Sequence, residues 1–248
     1  MPDIAARTSA VREHTGAAPW PGYEYVRGWG VFGLPFDSGH VLALRVFPEG
    51  SFGPYRTVWH RDPAGKWSIF VDGPRPDLAC PRYYGAACAH IGQGRIDLSW
   101  TDARTLHVTL DTPSLDWTLS MQAPPVLNVL NGVSAAMPLA TWRPEPLLRL
   151  RERLARALGM GRLSLSGIMP SGHVGTLMPQ RMYFVNQARA NLGGVDLGRP
   201  VKLAANPTIG SVSLAARGVL AIGQAMWQIH DADEFNRNRT EVRAAETG

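Results

Sequence analysis

The sequence contains little cysteine and almost no lysine. Its two cysteines, Cys80 and Cys88, are too few for a disulfide scaffold and are not spaced as in a zinc ribbon. Lys66 and Lys202 are the only lysines, so arginine supplies nearly all of the positive charge behind the net charge of +5. No run of basic residues interleaved with aromatic residues is present, which argues against nucleic-acid binding. We therefore expect reduced thiols, a cytoplasmic location and no nucleic-acid partner.

Long apolar runs are also missing. No stretch approaches the roughly 18 apolar residues of a membrane-spanning helix, and the N-terminal residues show no apolar core of a secretory signal. Residues 1–18 and 233–248 are polar and lack periodicity, so we expect both to be loosely ordered. Between them, at 19–232, we expect one domain, because 45% hydrophobic and 18% charged residues are typical of a folded globular chain.

Motifs for common cofactors and metals are absent from the sequence. It has no G-x-S-x-G, no H-E-x-x-H, no Walker phosphate loop and no G-x-G-x-x-G between a strand and a helix. No two histidines have the H-x-H or H-x-x-x-H spacing that places two metal ligands side by side. The sequence therefore predicts neither a bound cofactor nor a metal site.

Alternation of apolar and polar residues is the strongest pattern that the sequence does contain. Three alternating segments follow one another between residues 94 and 121, separated by the short turns TDAR and DTPS. They predict an antiparallel meander with one buried and one solvated face. Further strands are predicted on both sides of it, about ten in all, without the β-helix-β alternation of a parallel sheet. The predicted fold class is mainly β.

One amphipathic helix is predicted at 145–158, between two β halves at 28–122 and 161–230. Pro146 suits its first turn and Gly159 its end. Its apolar stripe consists of Leu147, Leu150, Leu154 and Leu158. Its other faces carry Arg149, Arg153 and Arg156. We expect the stripe to pack on the sheet, while the arginines leave open a membrane-surface or partner-binding role.

A Ser-Gly-His tripeptide stands at the head of an apolar strand in each β half. The two tripeptides end at His40 and His173, and a proline with aliphatic residues precedes each of them. If they mark an internal repeat, the two histidines are equivalent and face each other across a common interior. A histidine at the mouth of a barrel can transfer protons near neutral pH. The alternative is a histidine that is hydrogen-bonded within a turn.

Three other polar residues complete a candidate catalytic set with these histidines. Asp37 lies three residues before His40, close enough to orient its imidazole. Arg181 and Tyr183 share one face of a predicted strand. There the phenol can donate a proton while the guanidinium anchors a carboxylate or a polarised oxygen. For the tyrosine, ordinary core packing is the alternative.

Tryptophan and tyrosine are spread over many of the predicted strands. Aromatic side chains from many strands that converge on one interior form an apolar ligand pocket. The same distribution also serves a packed core. The predicted lining residues are Trp59, Trp67, Tyr83 and Trp227.

Several features together resemble a known superfamily. They are the GWG at Gly28–Gly30, the Trp-rich meander, the paired Ser-Gly-His strands and the helix between two β halves. Over about residues 28–230 the chain resembles the lipocalin-like superfamily that includes carotenoid hydratases and related cyclase-type enzymes. The resemblance implies an antiparallel barrel or a two-half lipocalin-like β architecture. It also implies a pocket for a hydrophobic small molecule, with acid/base side chains and no bound cofactor.

Three functional hypotheses follow. The first is a cofactor-independent enzyme that acts on a hydrophobic small molecule by acid/base chemistry, such as hydration, isomerisation or cyclisation. The second is a non-catalytic carrier of a lipid, terpenoid or pigment, and the third is an interaction module that docks through the arginine-rich helix. A purely apolar lining favours carriage, whereas a buried histidine with a carboxylate or phenol partner favours catalysis. Substrate, reaction and oligomeric state stay open.

Overall fold

The chain folds around one large curled sheet. The computed structural model describes residues 3–247; within them, thirteen strands belong to a single sheet and two more form a separate hairpin. The strands are β1 (His14–Thr15), β2 (Tyr23–Pro35), β3 (Val41–Gly50), β4 (Tyr55–Arg61), β5 (Trp67–Asp72), β6 (His90–Gln93), β7 (Ile96–Trp100), β8 (Thr105–Leu110), β9 (Leu115–Gln122), β10 (Ser166–Ile168), β11 (Val174–Leu192), β12 (Val195–Asp196), β13 (Thr208–Ile209), β14 (Val212–Ser213) and β15 (Val219–Gln228). The prediction of a mainly β fold is confirmed.

Helices occur near both ends of the described chain, between β5 and β6, and between β9 and β10. They are α1 (Ile4–Ser9), α2 (Pro81–Tyr84), α3 (Pro125–Ala136), α4 (Glu145–Ala157) and α5 (Ala232–Thr247). Helix α4 begins at the predicted residue and ends one residue before the predicted boundary. The expectation of a single helix is wrong, because α3 has no charged residue and so shows no amphipathic contrast in the sequence. No helix in the described part of the chain is long and apolar enough to cross a membrane.

The sheet has the strand order β6-β5-β4-β3-β2-β15-β11-β9-β8-β7. All neighbours on this path are antiparallel except β5 and β6. The predicted meander is present as β7, β8 and β9, with Ile96 opposite Leu110 and Leu106 opposite Leu119. The sheet curls into a half-barrel. The curl is seen in two hydrogen bonds that join β7 to β5 and β4: the backbone N–H of Ile96 donates to Asp72 at 3.0 Å, and Arg56 donates to the carbonyl of Ile96 at 2.9 Å.

Apolar residues pack on both faces of the central strands. Inside the curl, the meander packs against β2 to β4 and β11, with Trp117 and Tyr183 fully buried. A second cluster lies on the outer face of β3 to β5, beneath α2 and the β13–β14 hairpin, and contains Trp59 and Tyr84. A third lies beneath α3 and α4. The space inside the curl is therefore filled by side chains.

The terminal segments, for which loose order is expected from the sequence, contain helices in the structure. Ile4 of α1 is fully buried. In α5, Phe235 and Val242 pack against Phe52 and Leu78. These few apolar residues lie among polar ones, and for that reason the sequence pattern does not reveal them. The expectation for residues 1, 2 and 248 lies outside the described residues.

Candidate functional site

The structure does not bring the predicted catalytic residues together. The strand that begins after His40 pairs with the end of β2, at Pro35. The strand that begins after His173 is linked through β15 to the start of β2, at Glu24. These positions are on the order of 30 Å apart along an extended strand. The expectation that the two histidines face each other across one interior is therefore corrected: β2 separates them.

His40 has a different partner from the one expected. Its Nδ1 lies 2.8 Å from Nε2 of His60, and the two rings stack with centroids 5.0 Å apart. Burial, with a smaller effect of His40, lowers the pKa of His60 to about 4. Asp37 is exposed and accepts a hydrogen bond from the backbone N–H of Arg199 at 2.9 Å. The imidazole of His40 is thus positioned by another histidine, while Asp37 binds a neighbouring loop.

Tyr183 and Arg181 lie on β11, away from both histidine pairs. Tyr183 is fully buried inside the curl, and its hydroxyl accepts a hydrogen bond from Arg7 at 2.6 Å. Arg181 is partly buried beside the bulge that interrupts the pairing of β11 with β15. The phenol is therefore hydrogen-bonded to α1, and its surroundings are those of a core tyrosine with a satisfied hydroxyl.

The four predicted pocket aromatics are core residues. Each has at most 3% of its surface exposed. Tyr83 stacks on Trp227 with centroids 3.8 Å apart, and Trp59 meets Trp67 edge to face at 6.3 Å. Because the rings pack against one another, they fill the outer cluster and leave no open lining. Of the two interpretations offered by the sequence, the packed core describes these residues.

A buried acid–base cluster surrounds Glu24 at the start of β2. Glu24 has no exposed surface. The Nε of Arg82 on α2 donates to it at 3.1 Å, and Nη1 of the same guanidinium donates to Glu234 on α5 at 2.6 Å. Nε2 of His173 lies 3.3 Å from Oε1 of Glu24. Tyr83 also interacts electrostatically with this carboxylate.

The turn before β11 positions His173. Gly172 has a φ of 88°, a conformation that glycine adopts without a steric cost. The turn places Ser171 Oγ 2.8 Å from Nδ1 of His173. The imidazole ring of His173 stacks on the ring of His230, with centroids 4.3 Å apart. Ser171 is thus hydrogen-bonded to one ring nitrogen of His173, and the other ring nitrogen lies within ion-pair distance of Glu24.

Burial shifts the pKa values in this cluster in a direction suited to proton transfer. It raises the pKa of Glu24 to about 7, although the charge of Arg82 opposes the change. Burial and the neighbouring His230 lower the pKa of His173 to about 4. Near neutral pH the cluster thus holds a carboxyl poised to gain or lose a proton beside a neutral imidazole. The sequence interpretation found His173 and Tyr83 but missed Glu24, whose signal is a lone acid within the apolar strand YEYV.

An apolar cavity of about 160 Å³ lies between α3, α4 and β11. Its walls include Leu130, Met137, Leu154, Leu163, Leu165 and Met182. Asn131, Arg151 and Gln180 supply polar groups at its edge. Arg151 is held in place, since it donates to the carbonyl of Thr141 at 2.7 Å and lies over the ring of Trp142 at 4.0 Å. No histidine or carboxylate lines this cavity among the described residues.

The cavity and the acid–base cluster are separate places on the same strand. His173 immediately precedes β11, whereas the cavity wall uses β11 from Pro179 to Met182. Six or more residues of extended strand span roughly 20 Å. A molecule in the cavity is therefore out of reach of the imidazole.

The chain offers no metal site of three or more His, Cys, Asp or Glu ligands within the part that the structure describes. Cys80 and Cys88 are both free thiols. No protein-family model matches the chain, and no curated protein or solved structure is significantly similar to it.

Proposed function

We propose that the protein binds an apolar small molecule in the cavity between α3, α4 and β11, as in the second hypothesis from the sequence. The apolar lining carries this proposal, because leucine and methionine walls with a few polar groups at the edge are typical of ligand sites. A cavity of about 150 Å³ is known to accommodate benzene. The expected ligand is therefore the size of one aromatic ring or a short hydrocarbon segment.

We further propose that the curled sheet is an incomplete barrel of the lipocalin-like kind. Support comes from the antiparallel meander and from the curl that brings Ile96 to Asp72. The ligand site proposed here lies under the helices and not inside the curl, because Trp117 and Tyr183 fill that interior. Free thiols at both cysteines support the expectation of a cytoplasmic protein.

The test of ligand binding is calorimetric titration of benzene into two variants and the wild type. Ala155 is buried at the cavity wall, so Ala155→Leu fills part of the cavity and is expected to abolish binding. Ala157→Leu places the same side chain on an exposed position of the same helix and is expected to leave binding intact. Equal binding by both variants would remove the cavity from consideration.

Acid/base catalysis at the Glu24–His173 cluster is the second candidate function, and the contacts of His173 with Ser171 and Glu24 favour it. Native mass spectrometry of a co-purifying ligand identifies the molecule to be assayed for conversion. We expect His173→Asn and Glu24→Gln to abolish that conversion. His107→Asn is the matched control, because His107 forms a histidine–carboxylate pair with Asp116 at 3.2 Å on the surface. Conversion that survives in all three variants would exclude the cluster.

A further inference from the structure

Two neighbouring helices expose large apolar side chains. On α3, Val126, Val129 and Val133 are 56%, 66% and 55% exposed, and on α4, Leu150 and Leu154 are 50% and 43% exposed. Spacings of three and four residues place each group on one side of its helix. We call these five residues the valine–leucine face. Contiguous apolar exposure of this kind marks an interaction surface rather than ordinary surface composition.

The side chains that hold α3 and α4 on the sheet are not those of the valine–leucine face. Helix α3 is anchored by Leu127 and Asn131, which are 0% and 3% exposed. Helix α4 is anchored by Leu148 and Ala155, which are also buried. The five residues of the valine–leucine face stay largely exposed: Val133, Leu150 and Leu154 border the cavity, whereas Val126 and Val129 do not. Water is a poor environment for α3, which carries no charged residue.

Positive charge is concentrated around the same face. Residues 125–162 contain six arginines and two glutamates, a net charge of +4 out of +5 for the whole chain. Arg153 and Arg156 are exposed on α4 beside the leucines. Lys202 and Arg217 approach the end of α4, where an added side-chain carbon at Gly159 would lie 3.3 Å and 3.9 Å from their terminal nitrogens. An apolar face bordered by cations matches an anionic lipid surface.

We propose that the valine–leucine face docks on the surface of an anionic phospholipid bilayer. The valines and leucines enter the region between headgroups and acyl chains, and Arg153 and Arg156 contact lipid phosphates. Val133, Leu150 and Leu154 belong to this face and also line the cavity, so docking places the cavity mouth against the bilayer. The docking itself does not depend on whether the cavity holds a ligand.

A second copy of the chain fits this face less well. A two-fold contact brings the same surface of both copies together, so two patches of like positive charge would face each other. The two glutamates available to neutralise them are already engaged. Glu145 accepts a hydrogen bond from Arg149 at 2.5 Å, and Glu152 accepts one from the backbone N–H of Leu165 at 2.8 Å. Lipid phosphates supply the missing counter-charge.

The test is flotation of the full chain with two kinds of vesicle, phosphatidylcholine alone and phosphatidylcholine containing phosphatidylglycerol. We expect the protein to float only with the anionic vesicles, and less of it at high salt. Each cation near an anionic surface changes the affinity about fivefold. A variant carrying Val129→Asp, Arg153→Glu and Arg156→Glu should therefore bind at least roughly thirtyfold more weakly. The control carries the same changes elsewhere on the surface: Val195→Asp, Arg12→Glu and Arg95→Glu.

A labelled variant separates loss of docking from loss of folding. Val129→Cys, made with Cys88→Ser, carries an environment-sensitive fluorophore whose emission should shift to the blue with anionic vesicles. The same label at Val195→Cys should show no shift. The proposal is overturned if the wild type does not float, or if it floats equally with neutral vesicles. A dimer that the triple variant abolishes, in a protein without lipid binding, would assign the face to a second copy instead.

Discussion

The side chain of Asn131 pairs with the backbone of Met182 through two hydrogen bonds. Its Nδ2 donates to the carbonyl oxygen of Met182 at 2.8 Å, and the N–H of Met182 donates to its Oδ1 at 2.8 Å. At this point β11 is paired with β15 on one side, but its pairing with β9 begins only at Phe184. The amide of Asn131 thus takes the place of a neighbouring strand and fixes α3 to the sheet.

We expect Asn131→Ala to lower the free energy of unfolding by about 1–3 kcal/mol, because it leaves the partly buried N–H and C=O of Met182 without these partners. Urea denaturation measures the change. Asn128→Ala is the control on the same helix, since that side chain is exposed and donates only to the carbonyl of Ala123. It should cost less than about 1 kcal/mol. Equal losses would show that α3 is not held by Asn131.

Local patterns in the sequence predict the local structure of this protein well. Alternation predicts the meander, because the buried faces of β8 and β9 follow the apolar residues one by one. Leucine spacing predicts α4, with a proline in its first turn. The Ser-Gly-His tripeptide before β11 does form a turn that orients a histidine. Each of these elements depends on neighbours within a few residues.

Long-range order is what the sequence does not predict. The structure inserts β15 between β2 and β11, and this places His173 beside Glu24 while His40 lies at the far end of β2. Periodicity carries no information about strand order. The repeated tripeptide therefore predicts a shared histidine site that the sheet does not form. Glu24 acquires its partners Arg82 and Glu234 only through packing of α2 and α5 on the strand.

The stability of the wild type should depend on pH through Glu24. Its pKa rises from 4.5 to about 7 because the carboxyl is buried. Between these values the folded state keeps a proton that the unfolded state loses, so stability falls as pH rises through this window. The shift of about 2.5 pH units corresponds to ~3 kcal/mol. Glu24→Gln does not ionise, and it should gain about that much stability relative to the wild type between pH 4.5 and pH 8.

His173 gives the stability of the protein the opposite dependence on pH. Its pKa falls from 6.5 to about 4, mainly through burial. Between pH 4 and pH 6.5 the unfolded state binds a proton that the folded state does not. The stability of the protein therefore rises as pH increases through this window and falls as pH decreases through it. Urea denaturation at pH 4.5, 5.5, 6.5 and 8 resolves both effects, because His173→Asn removes the share of His173 in the rise, leaving that of His60, and Glu24→Gln removes the fall. Parallel curves for wild type and Glu24→Gln would contradict the raised pKa. The charges that face the pair, Arg82, Glu234 and His230, stay in place in both variants.

Arg82 compensates the buried charge of Glu24, so its removal should be costly at alkaline pH. We expect Arg82→Met to destabilise the protein by about 3–5 kcal/mol at pH 8, where the carboxylate is ionised, and by less at pH 5. The double variant Arg82→Met with Glu24→Leu should recover most of this loss, since no uncompensated charge is then left. Urea denaturation of the single and double variants measures the loss of stability and its recovery. A double variant as unstable as the single one would show that Arg82 acts through packing alone.

The packing of α5 distinguishes a structured C-terminal segment from the loosely ordered one expected from the sequence. Phe235 is 8% exposed and meets Phe52 edge to face, with ring centroids 5.5 Å apart. We expect Phe235→Ala to cost about 3 kcal/mol and to make α5 an early cleavage site in limited proteolysis. The ion pair between Arg75 and Glu241 on the same helix is well exposed and cannot replace this packing.

The matched control for Phe235→Ala is Thr240→Ala, at an exposed position of α5. It should leave both the free energy of unfolding and the cleavage pattern nearly unchanged. If Phe235→Ala were as mild as Thr240→Ala, α5 would contribute little to the fold. Arg82 would then have to hold Glu24 without the support of Glu234, because that second carboxylate reaches the guanidinium only when α5 is docked. The stability of α5 and the charge state of the buried cluster are therefore linked, and Phe235→Ala should also change the pH dependence that Glu24 confers.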